Sequence, residues 1–152
     1  MSGRNCAAFA KEVVAGPVGL SGSVSCAPFE RYLGIQIEEA TEEEAVLTMP
    51  FRANLSQTKG FMHGGAITSL AHSSLAVAIK SRLSEDNDIE IITFSVRFHN
   101  NTISGGVARA VARVTDMNER DIRGEAIVYD DHGNKIVTFG AAYRKDRVIK
   151  GH

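Results

Sequence analysis

Residues 63–80 read HGGAITSLAHSSLAVAIK, and this stretch decides the fold because it carries the one long helical pattern of the chain. Its apolar and small residues recur at intervals of three and four, the spacing of one face of an α-helix. We predict a helix of about 18 residues over 65–82, roughly 27 Å long at 1.5 Å per residue. The residues expected to form its buried face are Ile67, Leu70, Ala71, Ser74, Leu75, Ala78 and Ile79.

Strand patterns lie on both sides of this helix. Alternation of apolar and polar residues predicts six strands, over residues 33–40, 45–51, 89–100, 107–114, 121–129 and 135–144. Short turns separate the last four, so we predict that they form an antiparallel meander in chain order. A single apolar helix buries its face by packing on the concave side of such a sheet. The predicted fold class is α+β, with about six antiparallel strands wrapped around one long central helix.

Composition and charge exclude two classes of partner. The chain has 152 residues with 17 Lys+Arg, 18 Asp+Glu and no Trp, which gives a net charge of −1. A nucleic-acid binder normally shows a strong basic excess, so we predict no nucleic-acid partner. The apolar stretch 66–79 is short and interrupted by polar residues, so no membrane partner is expected either.

The N-terminal part of the chain bears on the cellular compartment. Cys6 and Cys26 have no redox or metal-ligand spacing, and we interpret them as free thiols in a reducing cytosol. Lys11 and Glu12 interrupt the first apolar segment, which argues against a signal peptide. We therefore predict a cytoplasmic protein.

The same region differs in composition from the rest of the chain. Apolar residues at helical spacing from Cys6 to Val14 predict a short helix, and a Gly/Ser-rich linker follows over 16–25. The predicted organisation is an N-terminal leader over 1–27, the main domain over 28–147 and a C-terminal tail over 148–152.

The start of the long helix is the most informative place for chemistry. A polar loop leads into His63-Gly64-Gly65 and directly into the helix, so unpaired N–H groups of the first turn face whatever the loop encloses. An N–H group held about 2.9 Å from a developing oxyanion can contribute on the order of 10² to 10³ in rate. The alternative is that the glycine pair only makes a tight turn before the helix.

Taken together, three features resemble the hotdog-fold acyl-CoA thioesterases, of the PaaI-like and 4-hydroxybenzoyl-CoA thioesterase branch. They are the β-β-α-β-β-β-β order, the His-Gly-Gly at the helix start, and the closing hairpin YDDHGNKIV over residues 129–137. The resemblance covers residues 28–145. It implies a hotdog fold and hydrolysis of a small, medium or aromatic acyl-CoA to the free acid and coenzyme A. Coenzyme A is then part of the substrate, and no separate cofactor is expected.

The resemblance also implies three catalytic positions. The N–H of Gly64 would polarise the thioester carbonyl, Gln57 would orient water or substrate, and position 72 would hold the base. The family usually has Leu-Ala-Asp where this chain has Leu70-Ala71-His72. His72 can itself be the base, because a neutral imidazole accepts a proton near neutral pH.

Two other accounts of position 72 stay open. A carboxylate from the loop after the helix, Glu85, Asp86 or Asp88, could replace the missing one, or the site could bind acyl-CoA without hydrolysing it. A hotdog dehydratase or hydratase is a further, weaker alternative. Without the resemblance, His72 is better explained as a partly buried histidine that hydrogen-bonds Thr68 or a neighbouring strand.

The family resemblance also implies a homo-oligomer, a dimer or a tetramer, with sites at the subunit interface.

Other residues are predicted to bind substrate. Arg120 is the first candidate for the phosphates of coenzyme A, and His99 could line the site from the end of its strand. No metal site is predicted, because the five histidines have no ligand spacing. The full set of predicted substrate-binding residues is Asn54, His63, Gly65, Thr68, Ser73, His99 and Arg120.

Overall fold

The computed structural model describes residues 4–5, 27–84 and 86–147. Its central element is helix α2, Gly64–Lys80, which confirms the predicted helix with slightly different ends. The buried residues of α2 include all seven that the periodicity selected. The short helix α1, Pro28–Leu33, precedes it and has Pro in its first turn, where the missing N–H costs nothing.

The strands are β1 (Arg4–Asn5), β2 (Gln36–Ala40), β3 (Ala45–Pro50), β4 (Asn87–Phe98), β5 (Val107–Met117), β6 (Asp121–Tyr129) and β7 (Lys135–Arg147). The prediction that the first strand starts at Leu33 was wrong. Leu33 is the last residue of α1, and Gly34 ends that helix with a φ of 75°. This left-handed conformation suits glycine and turns the chain from the helix into β2.

The sheet order is β1-β2-β3-β5-β6-β7-β4, with every pair antiparallel. The meander prediction is therefore correct for β5, β6 and β7 and wrong for β4. Strand β4 does not pair with β5, its neighbour in the chain. It pairs along its length with β7, and β5 pairs with β3.

The connection between β4 and β5 explains this order. The N–H of Met62 donates to the carbonyl of Ile103 at 2.7 Å, and that of Phe51 donates to Gly106 at 2.9 Å. Thr102 also donates through Oγ1 to the carbonyl of Met62. Residues 99–106 are thus hydrogen-bonded to the segment between β3 and α2. They cross the end of the sheet from β4 to β5, so the two strands do not form a hairpin.

The core lies between α2 and the inner face of the sheet. Side chains of β5, β6 and β7 alternate between buried and more exposed positions, as expected for strands covered on one face. Strand β5 presents three fully buried alanines, whose small side chains allow the helix to pack close to the sheet. The three are Ala108, Ala110 and Ala112.

Strand β4 is the exception to this coverage. It is the last strand of the described sheet, and its Phe94 and Phe98 are 53% and 49% exposed. An edge strand with half-exposed aromatic side chains is a surface that other chains can cover.

Some predictions fall outside the described residues. They are the helix predicted from Cys6 to Val14, both cysteines, Glu85 and the tail over 148–152. The boundaries of the leader and the main domain therefore stay predictions.

Candidate active site

The start of α2 has an ordered set of hydrogen bonds. His63 is the N-cap residue, and its Nδ1 accepts a hydrogen bond from the N–H of Gly65 at 2.8 Å. The N–H groups of Ala66 and Ile67 donate to the carbonyl of His63 at 2.9 and 3.2 Å. Within the described ranges, the N–H of Gly64 makes no hydrogen bond. Gly64 is therefore the one first-turn donor of α2 left open to a ligand oxygen by the described residues.

Phe98 explains why residue 64 carries no side chain. A Cβ placed on Gly64 would lie 3.2 Å from Cζ of Phe98, tighter than an ordinary van der Waals contact. The aromatic ring from β4 thus forms a wall beside the open N–H. Glycine leaves room there for a ligand carbonyl to approach the backbone.

Three predicted substrate-binding residues lie together beside this helix start. Asn54, His63 and Gly65 line a cavity of about 280 Å³, whose other wall includes Phe29 and Leu33 of α1. Such a mixture of apolar walls and a few polar groups is typical of small-molecule sites. The structure therefore brings these three residues into one pocket, although their contact with a substrate stays a prediction.

Gln57 lies further out on the loop. Its N–H donates to the carbonyl of Phe61 at 2.7 Å, and its own carbonyl accepts from the N–H of Gly60 at 2.9 Å. The residue is exposed, so its side chain is accessible to a substrate or water. Its proposed orienting role stays a prediction.

His72 lies two turns further along α2 and is half-buried between aromatic rings. Its ring centroid is 6.3 Å from that of Phe139, edge to face, and 6.1 Å from that of Tyr143, nearly parallel. Burial lowers the pKa of His72 below its usual value, and the nearby Glu30 carboxylate partly offsets this effect. The imidazole is therefore mainly neutral at pH 7, the form that accepts a proton.

The explanation of His72 by a hydrogen bond to Thr68 finds no support. Thr68 donates through Oγ1 to the carbonyl of Gly64 at 2.8 Å. In the part of the chain that the structure describes, His72 has ring contacts but no hydrogen bond. Its ring nitrogens are thus available to a ligand or water.

Helix geometry separates Gly64 from His72 in one chain. The two residues are eight positions apart, which is about 12 Å along the axis at 1.5 Å per residue. A thioester carbonyl and its attacking water lie within roughly 3.5 Å of each other. Within one chain, the Gly64 N–H and the His72 ring therefore lie well apart along α2.

Glu30 contacts the α2 residue next to His72 and is not among the residues predicted from the sequence. Its Oε1 accepts a hydrogen bond from Oγ of Ser73 at 3.1 Å, across 43 residues of sequence. Ser73, predicted to bind substrate, is 4% exposed and holds this carboxylate on the helix. The only local signal was an acidic residue in the first turn of α1, which is common wherever helices begin.

Tyr143 was also missed, although strand alternation places it on the inner face of β7. Its hydroxyl is buried and has no hydrogen-bond partner among the described residues. Burial raises the pKa of Tyr143 far above its usual value, so the phenol stays protonated and neutral. It can therefore donate a hydrogen bond but carries no charge toward His72.

None of the contacts described for the remaining predicted residues is with the start of α2. Nε2 of His99 is 2.7 Å from Oγ1 of Thr138, and Arg120 is exposed in the turn between β5 and β6. Asp88 lies near the other end of the helix, with its carboxylate 3.9 Å from Nζ of Lys80. The structure therefore does not bring these side chains to the helix start within one chain.

The described residues contain neither a candidate metal site nor a candidate membrane-spanning helix. No group of three or more His, Cys, Asp or Glu side chains there could hold a metal ion. None of the helices described combines the length and the apolar character needed to cross a membrane.

Comparison with known proteins places this geometry in context. No protein-family model matches the chain. The proofreading thioesterase EntH of Cronobacter turicensis is 27% identical over 109 residues, which cover 70% of this chain and 77% of EntH.

Solved structures confirm the fold. A thioesterase family protein from Silicibacter pomeroyi superposes with a TM-score of 0.78 at 23% identity, covering 91% of this chain and 98% of that one. The PaaI protein of the Escherichia coli phenylacetic acid degradation operon gives a TM-score of 0.72 at 20% identity, covering 79% and 86%. The chain has the hotdog fold, and the predicted resemblance to the hotdog-fold thioesterases is confirmed.

Proposed function

We propose that this hotdog-fold protein is a thioester hydrolase that cleaves an acyl-CoA to the free acid and coenzyme A. The observation that carries the proposal is the open N–H of Gly64 at the start of α2. Thioesterases among its relatives in sequence and its neighbours in structure support the same activity.

The proposed reaction uses two groups of opposite character. The Gly64 N–H donates to the thioester carbonyl, and the helix dipole adds positive potential where the oxyanion develops. The neutral imidazole of His72 takes a proton from water as the resulting hydroxide attacks the carbonyl carbon. The tetrahedral intermediate then expels the coenzyme A thiolate, which takes the proton from the imidazolium.

A homodimer is part of the proposal, because Gly64 and His72 of one chain are about 12 Å apart along the helix. Strand β4 offers the surface for a second copy, since it ends the described sheet with Phe94 and Phe98 half-exposed. Phe98 also adjoins Gly64, so a copy docked on β4 lies next to the open N–H. Each site would then combine Gly64 of one subunit with the His72 of the other, and two dimers could pair as a tetramer.

The remaining parts of the proposal concern the ligand and the compartment. Coenzyme A enters as part of the substrate, with no separate cofactor, and the substrate is a small, medium or aromatic acyl-CoA in the cytoplasm. Arg120 is proposed to bind its phosphates, because an exposed guanidinium suits a phosphate group.

One observation favours a second function, a non-catalytic acyl-CoA binding protein. Position 72 carries an imidazole where the thioesterases that this chain resembles carry a carboxylate. If His72 does not act as a base, the same pocket would bind acyl-CoA and release it unchanged.

The test is thiol release from a panel of acetyl-, hexanoyl-, octanoyl- and benzoyl-CoA, with binding measured in parallel by calorimetry. Turnover of at least one member by the parent protein is expected. Binding without turnover would instead identify the binding protein.

A matched pair of variants then tests Gly64. Gly64→Pro removes the N–H at the first helical position, where proline is well tolerated, and His63 already has the extended backbone that precedes proline. Gly64→Ala adds a Cβ beside Phe98 but keeps the N–H. The proline variant is expected to lose on the order of 10² to 10³ in kcat relative to the alanine variant. Equal activity of the two would exclude Gly64 as the donor.

A further inference from the structure

We propose that Glu30 is the carboxylate partner of His72, a positioning residue on α1 that stabilises the protonated imidazole formed during hydrolysis. This inference rests on the proposed function for its catalytic consequence alone. The pairing of the two side chains can be tested without any substrate.

The first support is the way in which the carboxylate is held. Glu30 lies in α1, which packs across α2, and Ser73 donates to its Oε1 at 3.1 Å. Ser73 directly follows His72 and is buried. The carboxylate is thus held against α2 at the residue that follows His72, with one oxygen hydrogen-bonded and the other without a partner among the described residues.

The second support is the state of that other oxygen. Oε2 of Glu30 is buried and has no hydrogen-bond partner in the described part of the chain. A buried carboxylate oxygen without a donor is costly, and such atoms in native proteins usually have a reason. An imidazolium N–H, or a water that it holds, is a donor of the right charge for this oxygen.

The third support is the absence of a competing charge among the groups that face His72. From β7, the ring meets Phe139, which is apolar, and Tyr143, which stays neutral. On the α1 side, Glu30 is the only charged group among the described residues whose charge affects the pKa of His72. The positive charge that His72 gains on taking a proton from water therefore has one counter-charge, Glu30.

In the proposed reaction Glu30 changes no bond. The proton moves from water to His72 and later to the leaving thiolate, while the Glu30 carboxylate takes no part in the transfer and stabilises the imidazolium between these steps. His72 then supplies the base and Glu30 supplies the carboxylate. In the thioesterases that this chain resembles, the carboxylate is usually at position 72 itself.

The test compares Glu30→Gln with Glu39→Gln, a matched loss of one carboxylate at an exposed position of β2. The imidazole signals of His72, assigned with a His72→Gln variant, are titrated by NMR in each protein without substrate. Removal of the Glu30 charge is expected to lower the pH at which His72 titrates by about one pH unit. The Glu39 variant is expected to titrate as the parent does.

The kinetic readout follows from the same variants. Glu30→Gln is expected to lower kcat at least about ten-fold, with KM within about two-fold, because the charge stabilises the imidazolium and not the bound substrate. Ser73→Ala, which frees the carboxylate without removing it, is expected to shift both readouts in the same direction by less.

The outcomes separate this inference from the proposed function. An unshifted His72 titration in Glu30→Gln overturns the pairing, whatever the activity. A shifted titration with unchanged kcat in an active enzyme overturns the positioning role. If the parent hydrolyses no acyl-CoA, the proposed function fails, and the titration still decides whether Glu30 and His72 form a pair.

Discussion

The substitution His72→Gln tests the proposed base with little disturbance of the fold. Glutamine is neutral, polar and similar in size, so it can fill the half-buried place between Phe139 and Tyr143. It cannot accept a proton from water near neutral pH. We expect kcat to fall by about 10² to 10⁴, the usual contribution of a general base, while KM stays within about two-fold.

The pH dependence of the parent protein's hydrolysis rate is a second test of His72 as the base. Because burial lowers the pKa of His72 from its usual value of about 6.5, at least about 90% of the imidazole is neutral at pH 7.5. The rate should therefore be level above pH 7.5 and fall by half only at a pH below about 6.5. An unshifted carboxylate base would hold the rate down to about pH 4 to 5.

The assay uses an acyl-CoA that the parent protein hydrolyses. The loss of its thioester absorbance is measured at a series of pH values from 4.5 to 8.5. His132→Gln is the matched control, because His132 lies exposed in the β6–β7 turn away from α2. The reasoning is refuted if His72→Gln keeps the activity of the control, or if the rate of the parent already falls by half at a pH well above 6.5.

Three further predictions concern the helix start, the core and the edge strand. His63→Ala removes the acceptor for a first-turn N–H and should lower the free energy of unfolding by about 1 kcal/mol, a Tm decrease of about 2–4 °C; His63→Asn, which can still cap, should lose less. Gly124→Ala puts a Cβ 2.4 Å from Leu75 and 2.7 Å from a backbone oxygen, so chemical denaturation should show a loss of about 1–3 kcal/mol. Gly105→Ala, with no atom within 4 Å of the added Cβ, should be close to neutral. Phe94→Asp places a charge on the half-exposed face of β4 and should shift sedimentation from dimer to monomer; an unchanged dimer would exclude β4 as the interface.

Much of the fold follows from local patterns. The 3.6-residue period identified α2 and its buried face, because that periodicity depends only on the side chains of one helix. The pairing of β4 with β7 could not be predicted in this way. It depends on how residues 99–106 are fastened to the loop before α2, and such contacts between distant segments leave no periodic signal.

In the candidate site, too, residues with a local sequence signal could be predicted and residues placed by long-range contacts could not. Gly64 could be predicted, because the three consecutive residues His63-Gly64-Gly65 mark the start of the helix. Glu30 could not, because its contact with Ser73 spans 43 residues and α1 is only six residues long. Its role depends on where α1 packs, which the sequence of α1 alone does not specify.

The central claim is that Gly64 of one subunit and His72 of the other form one hydrolytic site, and subunit complementation tests it most directly. Chains carrying Gly64→Pro and chains carrying His72→Gln are each expected to be nearly inactive. When the two are co-expressed, half of the dimers are mixed, and each mixed dimer holds one site built from two intact residues. The account predicts recovery of about a quarter of the parent activity, whereas a mixture no more active than the single variants would contradict it.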